Sequence, residues 1–368
     1  MRITLVSLSA DSSRGGAESY TLDLARRLVE CGHTITLISG ARGTTHALGS
    51  STKDGYTHVT VPASGVTRSR RYLRFAMGVE SWIREHPQDI IHAMLPLPSC
   101  HVYHPHAGIA IAAIQGKPIQ TLSNPRRRLF AKTEHQLLTS SHPPVILCLS
   151  DYVKAEFLRY YPDFPEENMV KLFNAVDLDH HVPAGDKNTG SPVEALMVAQ
   201  DFKRKGLATA IRALAEAPAV KLTVVGRDNP KKFQHLAERL GVSNRVDFVG
   251  PQADVRPFYR RAGFLVLPTR HDPCSLVVLE ALAQGLPVIS TRYNGACEIM
   301  ENGRHGWIMD SADDPHELAD AMNQLSDSTT LKTITHNCVS LRPALSYEHH
   351  LQCLVAAYDS ILKQRNCA

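Results

Sequence analysis

The stretch His271 to Gly285, HDPCSLVVLEALAQG, places a carboxylate, a short turn, a helix start and a second carboxylate at fixed spacing. The pattern predicts a helix beginning near Pro273 to Ser275, with Asp272 just ahead of it and Glu280 about two turns inside. Ser275, Leu276 and Val277 then stand at a helix N-terminus, whose unpaired N–H groups and positive dipole end suit a phosphate. At ~1.5 Å rise per residue, the two acids are separated by about the length of a diphosphate. One acid could hold a sugar and the other a ribose, which is the chemistry of a nucleotide-sugar site. Glu280 lies within the otherwise apolar run LVVLEALA, and a buried carboxylate costs free energy unless it is bonded. A ribose diol or a neighbouring arginine could be its partner.

Three further groups could carry chemistry. Asp201-Phe202-Lys203-Arg204-Lys205-Gly206 sets three cations before a helix, where the dipole disfavours them. Arg204 and Lys205 could neutralise a departing diphosphate. Ser12-Ser13-Arg14-Gly15-Gly16-Ala17 follows the first strand pattern, and Gly15 and Gly16 would let the backbone approach a ligand. His101, His104 and His106 cluster in CHVYHPH without an acid or cysteine at ligand spacing, so no metal is expected. His106, beside Gly108, is the histidine expected to meet a sugar or acceptor hydroxyl.

Alternating strand and helix patterns must position these residues. Strands are expected at Arg2–Ser7, Thr34–Ser39, Asp89–Ala93, Val145–Leu149 and Val170–Phe173, with helices at Ala17–Cys31, Arg70–Glu85 and 151–161. A polar Pro/Gly-rich stretch, His180 to Pro192, separates them from a second run. That run has strands near 194–198, 222–225, 246–249, 264–267, 287–290 and 307–309, and helices between them. Two doubly wound α/β domains facing a cleft are implied, with ligands beyond the carboxyl ends of the strands.

Length and composition agree with this plan. The 368 residues suffice for two domains, with 43% hydrophobic and 21% charged residues and a net charge of +4. That charge does not call for a nucleic-acid partner. No apolar run approaches the ~18 residues of a membrane span, and the N-terminus reads as a strand. The eight cysteines form no CxxC pair, which fits reduced thiols in the cytoplasm. Two basic clusters, Arg68, Arg70, Arg71 and Arg74, then Arg126, Arg127, Arg128 and Lys132, interleave with apolar residues. They could solubilise a helix face, or meet anionic lipid at the inner face of the cytoplasmic membrane, or meet a phosphorylated glycan.

Taken together, these motifs resemble glycosyltransferase family 4, of the GT-B fold. Asp272-x7-Glu280 is similar to the family's paired acids, Gly285-Leu286-Pro287-Val288-Ile289 to the strand that follows, and Asn174-Ala175-Val176-Asp177 to its domain junction. Gly15-Gly16-Ala17-Glu18 is similar to its first-loop glycine motif. Asp201 to Gly206, Val224 to Phe233 and Leu236 to Val242 resemble the branch that builds lipopolysaccharide core.

The resemblance implies an acceptor-side Rossmann-like domain over 1–175, joined by a C-terminal helix from 346–368, and a donor domain over 176–345. It implies that Gly16 lies under the donor diphosphate, Arg204 and Lys205 hold it, Glu280 binds ribose and Asp272 the sugar hydroxyls. The 249–254 loop, with Gly250, would lie beside the base. The implied reaction is retaining and metal-independent. It moves a hexose, glucose from UDP-glucose, onto a lipopolysaccharide core or other lipid-linked glycan, with no cofactor beyond the donor substrate. Three departures stand out. Asp272 replaces the usual Glu, and Ser275 a common Gly. His106 occupies a place where many members carry His and the lipopolysaccharide branch an acid.

Alternatives remain at this level: a GDP-mannose or UDP-N-acetylglucosamine donor, a nucleotide-sugar epimerase of the same fold, or a nucleotide-binding regulator without turnover. A nicotinamide enzyme is disfavoured, because Arg14-Gly15-Gly16-Ala17 lacks the G-x-G-x-x-G pattern.

Overall fold

In a computed structural model, which describes residues 1–11, 16–41, 49–106, 108–112, 114, 124–183 and 191–367, the chain divides into two units. The first comprises Met1–Leu172 with Leu351–Ala368, and the second Phe173–His350.

In the first unit, β1 (Arg2–Val6), β2 (Thr34–Ala41), β4 (Tyr56–Pro62), β5 (Ile90–Ala93), β6 (Val102–Tyr103), β7 (Val145–Cys148) and β8 (Met169–Lys171) pair in parallel, in the order β4-β2-β1-β5-β6-β7-β8. Such strands are covered on both faces, as β1 is: in RITLV, Ile3, Thr4, Leu5 and Val6 are all buried. One face buries Tyr20, Leu24 and Leu28 of the Gly16–Glu30 helix, together with Leu351, Leu354, Tyr358 and Ile361 of the terminal Tyr347–Cys367 helix. The other buries Tyr72, Phe75, Val79 and Trp82 of the Arg68–Glu85 helix against Val6, Ile38, Val59 and Ile146. A further strand, β3 (Gly49–Lys53), joins the edge antiparallel to β4. Its hairpin turns at Asp54-Gly55, both at positive φ (53° and 80°), as a two-residue turn of the primed type requires.

In the second unit, β9 (Val193–Val198), β10 (Val220–Val225), β11 (Val246–Gly250), β12 (Phe264–Leu267), β13 (Val288–Thr291) and β14 (Gly306–Met309) form one parallel sheet ordered β11-β10-β9-β12-β13-β14. Strand order therefore reverses between β9 and β12, whose Leu196 and Leu265 are register partners. At such a switch point, ligands of open α/β sheets sit in a crevice beyond the carboxyl ends of the strands. The crevice-side helix Leu276–Ala283 buries Val278, Leu279, Ala281 and Leu282 completely against the sheet, which anchors it. Arg342 closes the base of this unit by donating to the carbonyls of His181 (2.6 Å), Ala283 (2.5 Å) and Leu178 (3.1 Å).

Candidate functional site

The loop leaving β9 and the loop leaving β12 meet at the switch point of the second unit. Gly206, at φ 77°, permits the contact: a Cβ there would lie 2.1 Å from the Pro268 carbonyl oxygen. Arg270 then locks the loops together, its backbone N–H donating to the Arg204 carbonyl (3.0 Å) and its guanidinium to the Lys203 carbonyl (2.6 Å). This fixes the Lys205 side chain against Asp272, and its ammonium donates to Asp272 Oδ2. Both residues are buried. Burial pushes the Lys205 ammonium below its ordinary range, and the Asp272 carboxylate pulls it back up.

Asp272 is held by its backbone. Its N–H donates to the Tyr293 carbonyl (2.9 Å), and its carbonyl accepts from Gly295 N–H (3.0 Å). Between them, buried Asn294 accepts from Ser275 N–H (3.2 Å) and Ala296 N–H (3.2 Å) and donates to Ser290 Oγ (3.1 Å). Asn294 thus ties the start of the Leu276–Ala283 helix to the exit of β13. Ser275 is extended (φ −71°, ψ 112°), and its side chain makes no capping bond. Leu276 and Val277, the first turn, are the part-exposed apolar residues of that helix, and first-turn N–H groups lack intrahelical acceptors.

Arg204 and Lys205 bond to consecutive residues of the same loop but differ in exposure. The Arg204 guanidinium donates to the His271 carbonyl (2.6 Å) and lies 3.6 Å from the Asp201 carboxylate, 42% exposed. Glu280 is bonded to neither cation. It accepts from the hydroxyl of buried Tyr259 (2.8 Å). The residue is half-buried, yet its carboxyl is desolvated: burial raises its pKa to about 7, opposed by the Tyr259 hydrogen bond. Gly250 ends β11 at φ 79°, its carbonyl accepting from Gly226 N–H (3.0 Å), with open space where a side chain would be.

In the first unit, Gly16 opens the helix that follows β1, and Gly15 lies outside the described residues. Tyr20, one turn along, packs on His106 with ring centroids 4.5 Å apart. The three clustered histidines separate by environment. His101 accepts from Ile91 N–H (3.0 Å), and burial lowers its pKa to about 4. His104 is fully buried beside His92 (Nε2 to Nδ1, 3.3 Å), which in turn meets the Tyr358 hydroxyl at 2.7 Å. His106 keeps some exposure. No group of metal-ligating residues occurs among the described residues.

Two family models match the chain in tandem: glycosyltransferase family 4 over residues 14–180, and glycosyl transferases group 1 over residues 184–337. The chain is a glycosyltransferase, with a family 4 domain followed by a group 1 domain. Lipopolysaccharide glucosyltransferase WaaG of Escherichia coli is 26% identical to it over 291 residues, covering 74% of this chain and 78% of WaaG. Lipopolysaccharide core biosynthesis glycosyltransferase LpsE of Rhizobium meliloti is 29% identical over 324 residues, covering 87% and 88%. The crystal structure of WaaG superposes with a TM-score of 0.76 at 22% identity, covering 96% of this chain and 98% of WaaG. That of Anabaena HepE in complex with UDP superposes at 0.74 and 19% identity, covering 98% and 100%. The fold is GT-B.

In this glycosyltransferase, the residues that sequence reasoning missed lie outside the paired-acid motif. Asn294 reads as the first half of an Asn-Gly turn, and nothing local says that it reaches back to Ser275. Tyr259, the partner of Glu280, is 21 residues away in sequence and carries no signal at all. His92 sits inside strand β5, where a polar residue in the fully buried run IIHA was a legible oddity.

Proposed function

We propose that this glycosyltransferase moves a hexose, glucose from UDP-glucose, onto a lipopolysaccharide core or other lipid-linked glycan, with retention of anomeric configuration and without a metal. The observation that carries the donor half is the buried Lys205–Asp272 pair at the switch point. A dry cation beside a carboxylate is costly to hold unless a substrate group uses it. An arriving diphosphate would compete for the Lys205 ammonium and free Asp272 to accept from hydroxyls of the donor sugar. Arg204, bonded to a carbonyl and half-exposed, would turn to the same diphosphate. Gly16 and the N–H groups of Ser275, Leu276 and Val277 would add donors to it, Glu280 would take the ribose, and Gly250 would leave room for the base. In the transfer step, the acceptor hydroxyl oxygen bonds to the anomeric carbon as the bond from that carbon to the phosphate oxygen breaks. The leaving phosphate takes the hydroxyl proton. His106 would orient that hydroxyl.

The acceptor half rests on the names of WaaG and LpsE, and the donor sugar on HepE, solved in complex with UDP-glucose. A lipid-linked acceptor would bring the enzyme to a membrane surface, with exposed Arg70, Arg74, Arg128 and Lys132 toward anionic lipid. No described helix is long and apolar enough to cross a membrane. The test offers UDP-glucose, GDP-mannose and UDP-N-acetylglucosamine to the purified chain with truncated core glycans, and reads product anomers by NMR. Transfer from GDP-mannose alone would end the glucosyl assignment. Conversion of a donor with no acceptor present would favour the epimerase.

A further inference from the structure

Two adjoining cavities open beyond the carboxyl ends of the strands in the first unit. The larger, about 450 Å³, is bounded by Ser9 after β1, Gly40 at the end of β2, Tyr72, and the arginines Arg68, Arg71 and Arg126. Its neighbour, about 340 Å³, shares Arg68 and Arg126 and continues past Leu95, Ile109 and Phe130. Gly40 lets two walls of the larger one approach closely, since a Cβ there would lie 2.7 Å from Ala63 Cβ.

The charge in this place is one-sided. Arg68 and Arg71 belong to the first turn of the Arg68–Glu85 helix, capped by Thr67 (Arg70 N–H to Oγ1, 3.2 Å). Arg126 belongs to the first turn of the Pro125–Leu138 helix, capped by Asn124 (Arg127 N–H to Oδ1, 3.3 Å). Neither first turn holds an acid. Cations at a helix N-terminus oppose the dipole, so two helix starts and three guanidiniums add positive potential to one concavity. Among the described residues, none of the three arginines meets a carboxylate; Arg126 instead lies over the Phe130 ring at 5.0 Å. The residues of this unit outside the description include no Asp or Glu. Burial and the charges of Arg68 and Arg71 both lower the pKa of Arg126, and no acid opposes them.

We propose that the larger cavity binds a phosphoryl group carried by the acceptor, while the adjoining cavity takes the sugar that bears it. This rests on the reading of the first unit as the acceptor side. Three guanidinium forks exceed what one carboxylate can use, and they match the three terminal oxygens of a phosphate monoester. Ser9 lines the same cavity. Leu95, Ile109 and Phe130 give the second cavity an apolar side against which a pyranose face can lie. Pro105 and Gly108, which also line it, stand on either side of His106 in sequence. Part-buried Arg71 and Arg126, with exposed Arg68 at the cavity edge, are then ligand residues, separate from Arg70, Arg74, Arg128 and Lys132.

The experiment titrates the full chain, saturated with UDP, with mannose 6-phosphate, with mannose and with phosphatidylglycerol vesicles, using calorimetry and co-sedimentation. Mannose 6-phosphate is expected to bind saturably, at least about tenfold tighter than mannose. Arg71→Gln and Arg126→Gln are each expected to weaken it about tenfold, with Arg71→Lys recovering part and UDP affinity unchanged. Equal binding of the two sugars, or arginine variants that bind mannose 6-phosphate like the parent, overturns the proposal. So does a loss of vesicle binding in the variants with mannose 6-phosphate unaffected, which would make these arginines a lipid-facing surface. If the parent binds mannose 6-phosphate in an arginine-dependent way but not UDP, the cavity assignment stands and the donor reading fails.

Discussion

Lys205 donates to Asp272 across 67 residues of sequence, and the two side chains retain only 9% and 11% of their exposure. Removing one partner leaves an uncompensated buried charge. Lys205→Met is therefore expected to lose about 3–5 kcal/mol of stability. The double variant Lys205→Met/Asp272→Leu should recover much of that loss while abolishing transfer. Urea unfolding of the two single variants and the double variant closes the cycle. Single variants within about 1 kcal/mol of the parent would mean that the pair is not held as described. A pH signature accompanies it. The native ammonium titrates below the ordinary 10.5, so the unfolded chain binds the proton more tightly. Stability gains a rising component as pH climbs toward 10.5, and Lys205→Met should lack it.

Glu280 titrates near 7 because its carboxyl is desolvated. Its folded pKa lies above the ordinary 4.5, so the native chain holds the proton more tightly between those values. The sign follows: this group's contribution is greatest below pH 4.5, declines as pH rises to about 7, and is level above. The change is worth at most roughly 3 kcal/mol. Glu280→Gln should flatten that part of a stability–pH curve. If the ionised carboxylate accepts from ribose hydroxyls, UDP affinity in the parent rises from pH 5.5 to about 7 and then levels. Parallel UDP affinities for parent and Glu280→Gln across that range would remove Glu280 from the donor site.

How much of this was legible in sequence depends on the range of the interaction. The helix start at Ser275 and the loop Asp201 to Gly206 were readable, because spacing, glycine and charge are local. The Lys205–Asp272 contact was guessable only as two groups around one ligand, and the structure joins them directly. Gly206 decides that contact through Pro268, which no local pattern reveals. The β3–β4 hairpin carries its signal in Asp54-Gly55, yet residues 42–62 lack the apolar run that marks a central strand. The basic clusters read as helix faces able to solubilise, to meet anionic lipid or to meet a phosphorylated glycan. Chain folding instead draws Arg68, Arg71 and Arg126 to one concavity, which follows from β-strand order and not from helix periodicity.

Gly206→Ala tests the geometry that presents Lys205. The substitution forces a side chain into the left-handed region, at a cost of about 1–2 kcal/mol, and sets its Cβ against the Pro268 carbonyl. The loop must move away from the exit of β12. A loss of at least 2 kcal/mol in stability, with a larger fall in transfer than in folded fraction, is expected. Thermal melts and initial rates at matched folded concentration measure the two. A variant with parent-like rate and melting temperature would show that the two loops are not in register as seen.

His106 and His104 pack with ring centroids 4.0 Å apart and ring planes tilted by 39°, yet should respond to substitution in opposite ways. His104 is wholly buried next to His92, so His104→Ala opens a cavity and strips a hydrogen-bonded partner. Stability should fall by about 2 kcal/mol or more, and the remaining folded enzyme should keep most of its kcat. His106 retains solvent contact and packs on Tyr20, so His106→Ala should cost little stability. Its loss would be catalytic: a hydrogen bond to the attacking hydroxyl, charge-assisted in the transition state, is worth about 1.5–3 kcal/mol, or roughly ten- to a hundredfold in kcat. The discriminating readout is the split between melting temperature and kcat in the two variants, with KM for the donor unchanged in both. If His106→Ala lowered the melting temperature and spared kcat, the histidine would be packing for Tyr20, and the acceptor hydroxyl would need another partner.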